Sequence, residues 1–171
     1  MKFTKKQLDR YSRQIILKKV GVIGQKKLLK SSVLIIGAGG LGSPIAIYLS
    51  ALGIGKIGMV DRDKVEISNL SRQIIFENND VKKKKSLTAI TRLKKINPDI
   101  KFESFNKNLN LGNINKIAKK FDIIVDGSDN FKTRFLINDY CLKNKKILIS
   151  GAISKFDGHV YTFDFTKKKS P

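Results

Sequence analysis

The chain has 171 residues, of which 41% are hydrophobic and 29% charged, as expected for one globular domain with a core of its own. No apolar run approaches the ~20 residues that span a bilayer, and the charged N-terminus leads into no signal-like segment, so we expect a cytoplasmic protein without membrane attachment. The single cysteine, Cys141, excludes an internal disulfide and a multi-cysteine zinc site; it lies in a helical stretch and is typical of a small buried hydrophobe.

The formal net charge of +21 would favour binding to nucleic acid, but the excess of lysine over arginine argues against sequence-specific binding. Of the 35 basic residues 29 are lysine and six are arginine, which is the residue suited to bidentate contacts with bases and phosphates. No basic patch is interleaved with aromatic residues. We therefore expect no specific nucleic-acid partner, and only salt-sensitive adhesion to polyanions.

Two helices are predicted before the first strand. Thr4 to Gln7 fits a capping box that opens a helix ending near Leu17, with an apolar stripe along one face. Gly21 to Gly24 interrupts the pattern, and Gln25 to Ser31 then predicts a second, short helix. These helices form an N-terminal extension of the domain that follows.

A short apolar strand and a glycine-rich corner organise the rest of the chain. Val33 to Ile36 is too short for a helix and rich in β-branched residues, so it predicts a buried parallel strand. Gly37, Gly39 and Gly42 then fit G-x-G-x-x-G. In this pattern the first glycine allows a tight turn, the second lets the backbone approach a phosphate, and the third allows close packing of helix on strand. The helix predicted over Leu41 to Leu52 would direct its N-terminal N–H groups at the anion.

A second strand, Ile57 to Asp61, ends on an acid that can accept hydrogen bonds from ribose hydroxyls. Strand, glycine corner, helix, strand and terminal acid in this order predict a nucleotide-binding unit, with a glycine-rich turn of no ligand-binding role as the alternative. The connection that follows, residues 62–79, is long and irregular for its place and holds Asp63, Asn69 and Arg72. Long connections after a binding strand usually have a function.

Helices and strands continue to alternate in the second half of the chain. We predict helices over residues 80–97, with Asp80 as N-cap, 113–121 and 131–145, and strands over 100–105, 122–126, 146–152 and 159–165. The last strand follows an Asp157-Gly158 turn and should run antiparallel. The alternation predicts a Rossmann-like, doubly wound α/β fold with a mostly parallel sheet. Residues 1–31 are its helical extension, and residues 32–171 are the nucleotide-binding domain.

Functional groups are expected at the carboxyl ends of the strands, because parallel strands end at the same edge of the sheet. The glycine corner, Asp61 and Asp129 all fall there. A carboxylate near phosphates is a natural Mg²⁺ ligand, and Mg²⁺ takes only one or two protein carboxylates. Asp129 fits this role better than Asp126, which is three residues further back in its strand.

Further side chains can reach the same crevice. Arg13, Arg72 and Lys85 can neutralise charge that develops during displacement at phosphorus, and with Asn69 they favour ATP over NAD as the nucleotide. Each also has a plainer interpretation. The arginines fit a solvated surface, and Lys85 fits a solvated helix start in a lysine run. Asn69 fits a turn, and Asp129 fits a helix cap.

A series of motifs occurs in one order along the chain: RYSRQI at 10–15, GAGGLG at 37–42, Asp61 with SNLSRQ at 68–73, Lys85, INP at 96–98 and SDN at 128–130. Together, over residues 7–165, they resemble the ThiF/MoeB adenylyltransferases, which are bacterial relatives of the ubiquitin-activating enzymes. The resemblance implies an ATP-dependent enzyme that activates the C-terminal glycine of a ubiquitin-like sulfur-carrier protein in thiamine or molybdopterin biosynthesis. The carrier's carboxylate would attack the α-phosphate of ATP, which gives an acyl-adenylate and pyrophosphate.

The resemblance also implies roles for individual residues. Asp61 would bind the ribose, and Asn69, Arg72 and Lys85 would hold the phosphates. Asp129 would bind Mg²⁺. Arg13 would be an arginine finger, in this family often supplied across a homodimer interface. The residues implied for nucleotide binding are Gly37, Gly39, Gly40, Gly42, Asp61, Asp63, Asn69, Arg72, Lys85, Asp129 and Asn130, and those implied for catalysis are Arg13, Arg72, Lys85 and Asp129.

Members of that family continue past the point where this chain stops, into a part that carries two Cys-x-x-Cys pairs for a structural zinc and helps to grip the carrier. We therefore expect a chain truncated relative to the family, which binds no zinc. Two alternatives stay open: a remnant that binds nucleotide or carrier without turnover, and an NAD-dependent oxidoreductase. The second is disfavoured because no catalytic domain or plausible proton donor follows the binding half.

Overall fold

The computed structural model describes residues 2–167 and contains one six-stranded sheet. The strands are β1 (Ser32–Ile36), β2 (Lys56–Val60), β3 (Lys101–Phe105), β4 (Ile123–Asp126), β5 (Ile147–Ser154) and β6 (Asp157–Asp164). Their order across the sheet is β3-β2-β1-β4-β5-β6. The first five strands are parallel, and β6 pairs antiparallel with β5. The predicted mostly parallel α/β sheet with an antiparallel last strand is confirmed.

Six helices accompany the sheet in the part of the chain that is described. They are α1 (Lys5–Ile15), α2 (Gly21–Lys30), α3 (Gly42–Leu52), α4 (Lys85–Ile96), α5 (Ile114–Ala118) and α6 (Phe131–Lys143). The connection between β2 and α4 is irregular, as predicted, apart from two single 3₁₀ turns at Ile67–Asn69 and Asn78–Asp80. Between residues 2 and 167 no helix has the length and apolar content that crossing a bilayer requires.

Side chains of alternate strand residues enter two separate cores, one on each face of the sheet. Ile35 and Met59 belong to the core under α3 and α4, whereas Leu34, Ile124 and Phe121 belong to the core under α5 and α6. All five residues are nearly or completely buried. Because helices cover both faces, the central strand is apolar over four consecutive residues, the pattern of a buried parallel strand.

The N-terminal extension is fixed to the domain through a buried tyrosine. Tyr11 is fully buried, and its hydroxyl accepts a hydrogen bond of 2.9 Å from Nδ2 of Asn97. Asn97 donates a second bond, of 2.8 Å, to the carbonyl oxygen of Ser50. A β carbon on Gly53 would lie 2.6 Å from the Tyr11 ring, so a glycine is needed beside it. The predicted capping box at Thr4 is present.

Three predicted details are wrong. Gly21 begins α2 instead of interrupting it, because a φ of +58° there lets the chain turn directly into the helix. Asp80 does not cap α4: its carboxylate accepts a bond from the backbone nitrogen of Glu77 within a 3₁₀ turn, and Lys84 holds the cap position. The hairpin turn lies at Lys155 and Phe156, not at Asp157-Gly158, which belong to β6. The other predicted elements are present, with ends shifted by a few residues.

Candidate nucleotide-binding site

A cavity of about 520 Å³ opens at the carboxyl ends of the parallel strands. It lies where the chain connections diverge on either side of β1, with β2 on one side and β4 on the other, the usual position for a ligand in such sheets. Most of its lining comes from the four connections that follow β1 to β4, and the rest comes from nearby ends of strands and helices. The lining residues are Ile36, Gly37, Gly39, Gly40, Leu41, Val60, Asp61, Arg62, Asp63, Arg72, Gln73, Lys85, Lys107, Asn108, Leu109, Gly127, Ser128, Asp129, Asn130, Thr133, Arg134 and Ile153.

The glycines of the corner after β1 differ in why each position suits a glycine. Gly37 has a φ of +92°, and a β carbon there would lie 2.8 Å from the carbonyl oxygen of Gly127. A β carbon on Gly42 would overlap the carbonyl oxygen of Gly37. By contrast, a β carbon on Gly39 would meet only Nε2 of Gln73, at 4.0 Å, and Gly39 lines the cavity. The fold therefore requires glycine at 37 and 42, and the cavity wall contains bare backbone at 39.

The helix that follows the corner begins at Gly42, and its cap position, Leu41, provides no side-chain hydrogen bond. The first turn of a helix has N–H groups without partners in the helix and carries partial positive charge. Because Gly39, Gly40 and Leu41 line the cavity beside this end, the cavity is suited to an anion.

Asp61 joins the end of β2 to the glycine corner. One carboxylate oxygen accepts a bond of 2.8 Å from the Ala38 nitrogen, and the other accepts a bond of 2.8 Å from the Asp63 nitrogen. Burial raises the pKa of the Asp61 carboxyl, and the two backbone hydrogen bonds oppose this rise. Each oxygen accepts only one of these bonds, so the carboxylate has lone pairs left for hydroxyls in the cavity.

One lysine of the run at 82–85 enters the site. Lys85 is only 7% exposed and lines the cavity, whereas the three lysines before it are more exposed. Its Nζ lies 4.0 Å from a carboxylate oxygen of Asp63, and its backbone nitrogen donates to the Asp63 carbonyl at 2.9 Å. Lys85 therefore supplies a positively charged group, held at the start of α4, to the wall of the cavity.

Arg72 crosses over the glycine corner. Its side-chain methylenes lie 3.6 and 3.7 Å from where Gly40 would carry a β carbon, and its guanidinium donates to the Ser68 carbonyl at 3.1 Å. Asn69 is buried and does not line the cavity; its carbonyl accepts from the backbone nitrogens of Arg72 and Gln73, and its side-chain oxygen from that of Glu66. Asn69 thus holds the turn that presents Arg72.

The two aspartates near the end of β4 have different surroundings. Asp126 is buried and accepts bonds from the Ser128 nitrogen at 2.9 Å, the Ser128 hydroxyl at 2.6 Å and the Ser150 hydroxyl at 3.1 Å. Asp129 is exposed at the cavity. It does not cap the next helix, because the Asn130 side chain accepts the bond from the Thr133 nitrogen. Its carboxylate can therefore serve a ligand.

Sequence reasoning missed an arginine on the same wall. Arg134, in the first turn of α6, donates to the carbonyl oxygens of Ser128 at 2.6 Å and Gly151 at 3.1 Å. It ties the loop that carries Asp129 to strand β5. Its position in the first turn of a helix after a binding loop was the available signal. Gln73 and residues 107–109, which follow β3, were also missed.

Arg13 is the one predicted catalytic residue that lies elsewhere. It is exposed on α1 and does not line the cavity of its own chain. The cavity brings together the remaining ones, Arg72, Lys85 and Asp129, with the glycine corner and Asp61. The set joins an anion-binding helix end, an acceptor for hydroxyls, two cations and one available carboxylate, which together suit a nucleoside phosphate and a divalent cation.

The chain is similar to several known proteins. Residues 11–171 match the ThiF family. The sulfur carrier protein adenylyltransferase of Thermus thermophilus is 46% identical over 163 residues, which are 95% of this chain and 60% of that protein. The SAMP-activating enzyme E1 of Haloferax volcanii is 44% identical, over 91% of this chain and 58% of that protein.

A solved structure is similar as well. E. coli MccB, crystallised with AMPCPP and MccA, superposes with a TM-score of 0.80 and 30% identity, over 89% of this chain and 48% of that one. This chain thus spans roughly half to three-fifths of the length of the proteins that it resembles.

Proposed function

The chain belongs to the ThiF family, and from this membership we propose that it is the nucleotide-binding part of an ATP-dependent adenylyltransferase. Its substrate would be the C-terminal glycine carboxylate of a ubiquitin-like sulfur-carrier protein, in line with the name of the Thermus relative. One observation carries the proposal: Arg72, Lys85 and Asp129 face a cavity that also holds the glycine corner and Asp61. A cavity that binds a dinucleotide alone does not need this combination.

The reaction would use these groups at one phosphorus atom. A carboxylate oxygen of the carrier forms a bond to the α-phosphorus while the bond to the pyrophosphate oxygen breaks. Arg72 and Lys85 stabilise the negative charge that grows on the departing pyrophosphate. Asp61 accepts from the ribose hydroxyls and keeps the α-phosphate in line with the incoming carboxylate.

Asp129 would hold Mg²⁺. Its carboxylate is exposed at the cavity and is not used as a helix cap, which fits an ion that takes one or two protein carboxylates and keeps water ligands. The bound ion would neutralise charge on the phosphates. The loop geometry that presents Asp129 comes from Asp126 and Arg134.

Arg13 would act in a homodimer. It is exposed on α1 and does not line the cavity of its own chain, which is compatible with action in the cavity of a second copy. We propose that it stabilises the departing pyrophosphate in the partner's cavity, as the resemblance to the family implies. Loss of exchange activity on dilution below the dimer dissociation constant would support this role.

Carrier-dependent exchange of pyrophosphate into ATP tests the proposed reaction. The wild-type chain should catalyse exchange only with a carrier that ends in glycine, and Asp129→Ala should abolish it. Asp139→Ala is the matched control, because Asp139 is an exposed aspartate of α6 that does not line the cavity. ATP binding without exchange would favour a non-catalytic remnant. Tight NADH binding that ATP does not displace would favour an oxidoreductase.

A further inference from the structure

Gln73 is a buried residue of the cavity wall without an assigned role. Its backbone is fixed on both sides, since its nitrogen donates to the Asn69 carbonyl at 2.9 Å and its carbonyl accepts from the Phe76 nitrogen at 3.0 Å. The side chain is only 4% exposed and lines the cavity. Its Nε2 lies 4.0 Å from the position that a β carbon would take on Gly39. The carboxamide therefore faces the bare backbone of the glycine corner.

The amide oxygen of Gln73 has no partner within residues 2–167, and it is shielded from solvent. Buried amide groups in native proteins are almost always hydrogen-bonded, because an unpaired one has lost its water without replacement. Of the buried side-chain nitrogen and oxygen atoms without a partner in this range, it alone belongs to a residue that lines the cavity; the others belong to Arg10, Gln25, Ser50 and Ser86. Nε2 of the same carboxamide faces the cavity beside Gly39, so a ligand in the cavity can accept a hydrogen bond from this end of the amide.

We propose that Gln73 binds the nucleotide directly, with Nε2 donating to a phosphate oxygen that rests against Gly39. This assignment deepens the proposed function and rests on it. Arg72 and Lys85 already supply positive charge at this wall, so a neutral amide adds a directed hydrogen bond without further cation repulsion.

Binding to the whole 171-residue chain tests the contact without any need for turnover. Titration calorimetry compares AMPCPP with adenosine, which has no phosphate. Gln73→Met keeps the length of the side chain and removes both hydrogen-bonding ends. We expect it to weaken AMPCPP binding about tenfold or more, the effect of one hydrogen bond to a charged group, and to leave adenosine binding within about twofold.

Gln25→Met is the matched control. Gln25 is fully buried and also has an unpaired amide oxygen, but it does not line the cavity and donates to the Leu52 carbonyl at 2.9 Å. This variant should bind AMPCPP like the wild type, even where it unfolds at a lower temperature. Thermal unfolding without ligand shows whether each variant is folded.

Gln73→Glu gives a readout that a merely structural role would not change. The carboxyl group that this substitution introduces repels phosphate when it is ionised, whereas its protonated form can donate a hydrogen bond again. Burial beside phosphates raises the pKa of such a carboxyl group. The ratio of wild-type to variant AMPCPP affinity should therefore fall as the pH is lowered from about 8 to about 5.

Each outcome decides something. AMPCPP binding that is equal in wild type and Gln73→Met, an equal loss for adenosine, or an affinity ratio that does not change with pH overturns the assignment. A wild-type chain that binds no AMPCPP overturns both the assignment and the adenylyltransferase. Weakened AMPCPP binding in Gln73→Met, together with no carrier-dependent exchange by the wild type, overturns the enzyme only.

Discussion

Gly39 and Gly42 lie in the same corner, yet replacing each by alanine should have opposite effects on stability. Gly39 does not have a positive φ, and its β carbon would meet only Gln73, at 4.0 Å. Gly42→Ala would place a methyl group on the carbonyl oxygen of Gly37, which is backbone and cannot rotate away. Gly39→Ala therefore tests the ligand site, and Gly42→Ala tests the fold.

The magnitudes follow from these surroundings. Where the backbone suits alanine, replacing glycine stabilises a protein by about 0.4–1 kcal/mol, so Gly39→Ala should raise the melting temperature of this chain by about 1–4 °C. In the proposed binding mode the same methyl group would take the place of a phosphate oxygen, and overpacking of about 1–3 kcal/mol would weaken AMPCPP binding about 5- to 150-fold. Gly42→Ala should lose about 3 kcal/mol or more of a total stability of about 5–15 kcal/mol.

Differential scanning calorimetry without ligand and titration calorimetry with AMPCPP measure the two effects separately. The expected result for Gly39→Ala is a slightly higher melting temperature with much weaker binding. A melting temperature below that of the wild type, or unchanged binding, would refute the argument that Gly39 serves only the ligand. Wild-type stability in Gly42→Ala would refute the argument that the turn needs glycine there.

Three further results are expected. Burial raises the pKa of the Cys141 thiol to about 12, so a thiol reagent at neutral pH should label the denatured chain and not the native one; rapid native labelling would contradict this. The hydrogen bond from Lys56 lowers the pKa of Glu103, so Glu103→Gln should reduce the free energy of unfolding at neutral pH by up to about 1 kcal/mol. The difference in free energy of unfolding between the wild type and Glu103→Gln should vanish as the pH falls through the folded-state pKa of Glu103. Denaturant melts that give the same difference at neutral and acid pH would rule out this contribution. Arg134→Met should lower carrier-dependent exchange about tenfold or more, since the loop of Asp129 loses its hydrogen bond at Ser128 and its link through Arg134 to Gly151 of β5, while Arg134→Lys should retain part of the rate; equal rates would exclude this positioning role.

The part of the site that depends on local pattern could be predicted from the sequence. The β-branched run before Gly37 and the spacing to Gly42 define the turn from β1 into α3, and both arise from sterics within a few residues. The rule that parallel strands end at one edge then places Asp61 and Asp129 at a common cavity.

Other features depend on contacts between distant segments, which no local pattern encodes. Gln73 is buried because an irregular connection folds back over the glycine corner, and irregular segments have no periodicity to reveal burial. Asp80 is a good helix cap by residue type, but its carboxylate is used by the turn before the helix. The proposed role of Arg13 involves a second copy of the chain, so that role stays a prediction.

The central strand has consequences for how the chain acquires its cavity. Val33 of β1 pairs with Ile57 on one side and with Ile123 on the other, and nearly half of the residues that line the cavity come from the chain after β3. Such non-local pairings form slowly, and the cavity is complete only after β4 has docked. A nucleotide that binds the finished cavity stabilises the native state by mass action, by about 2.7 kcal/mol at a concentration of about 100 Kd. Under the proposed function, folding of the sheet and occupancy of the cavity would be one coupled equilibrium, in which the nucleotide concentration would help to set the folded fraction.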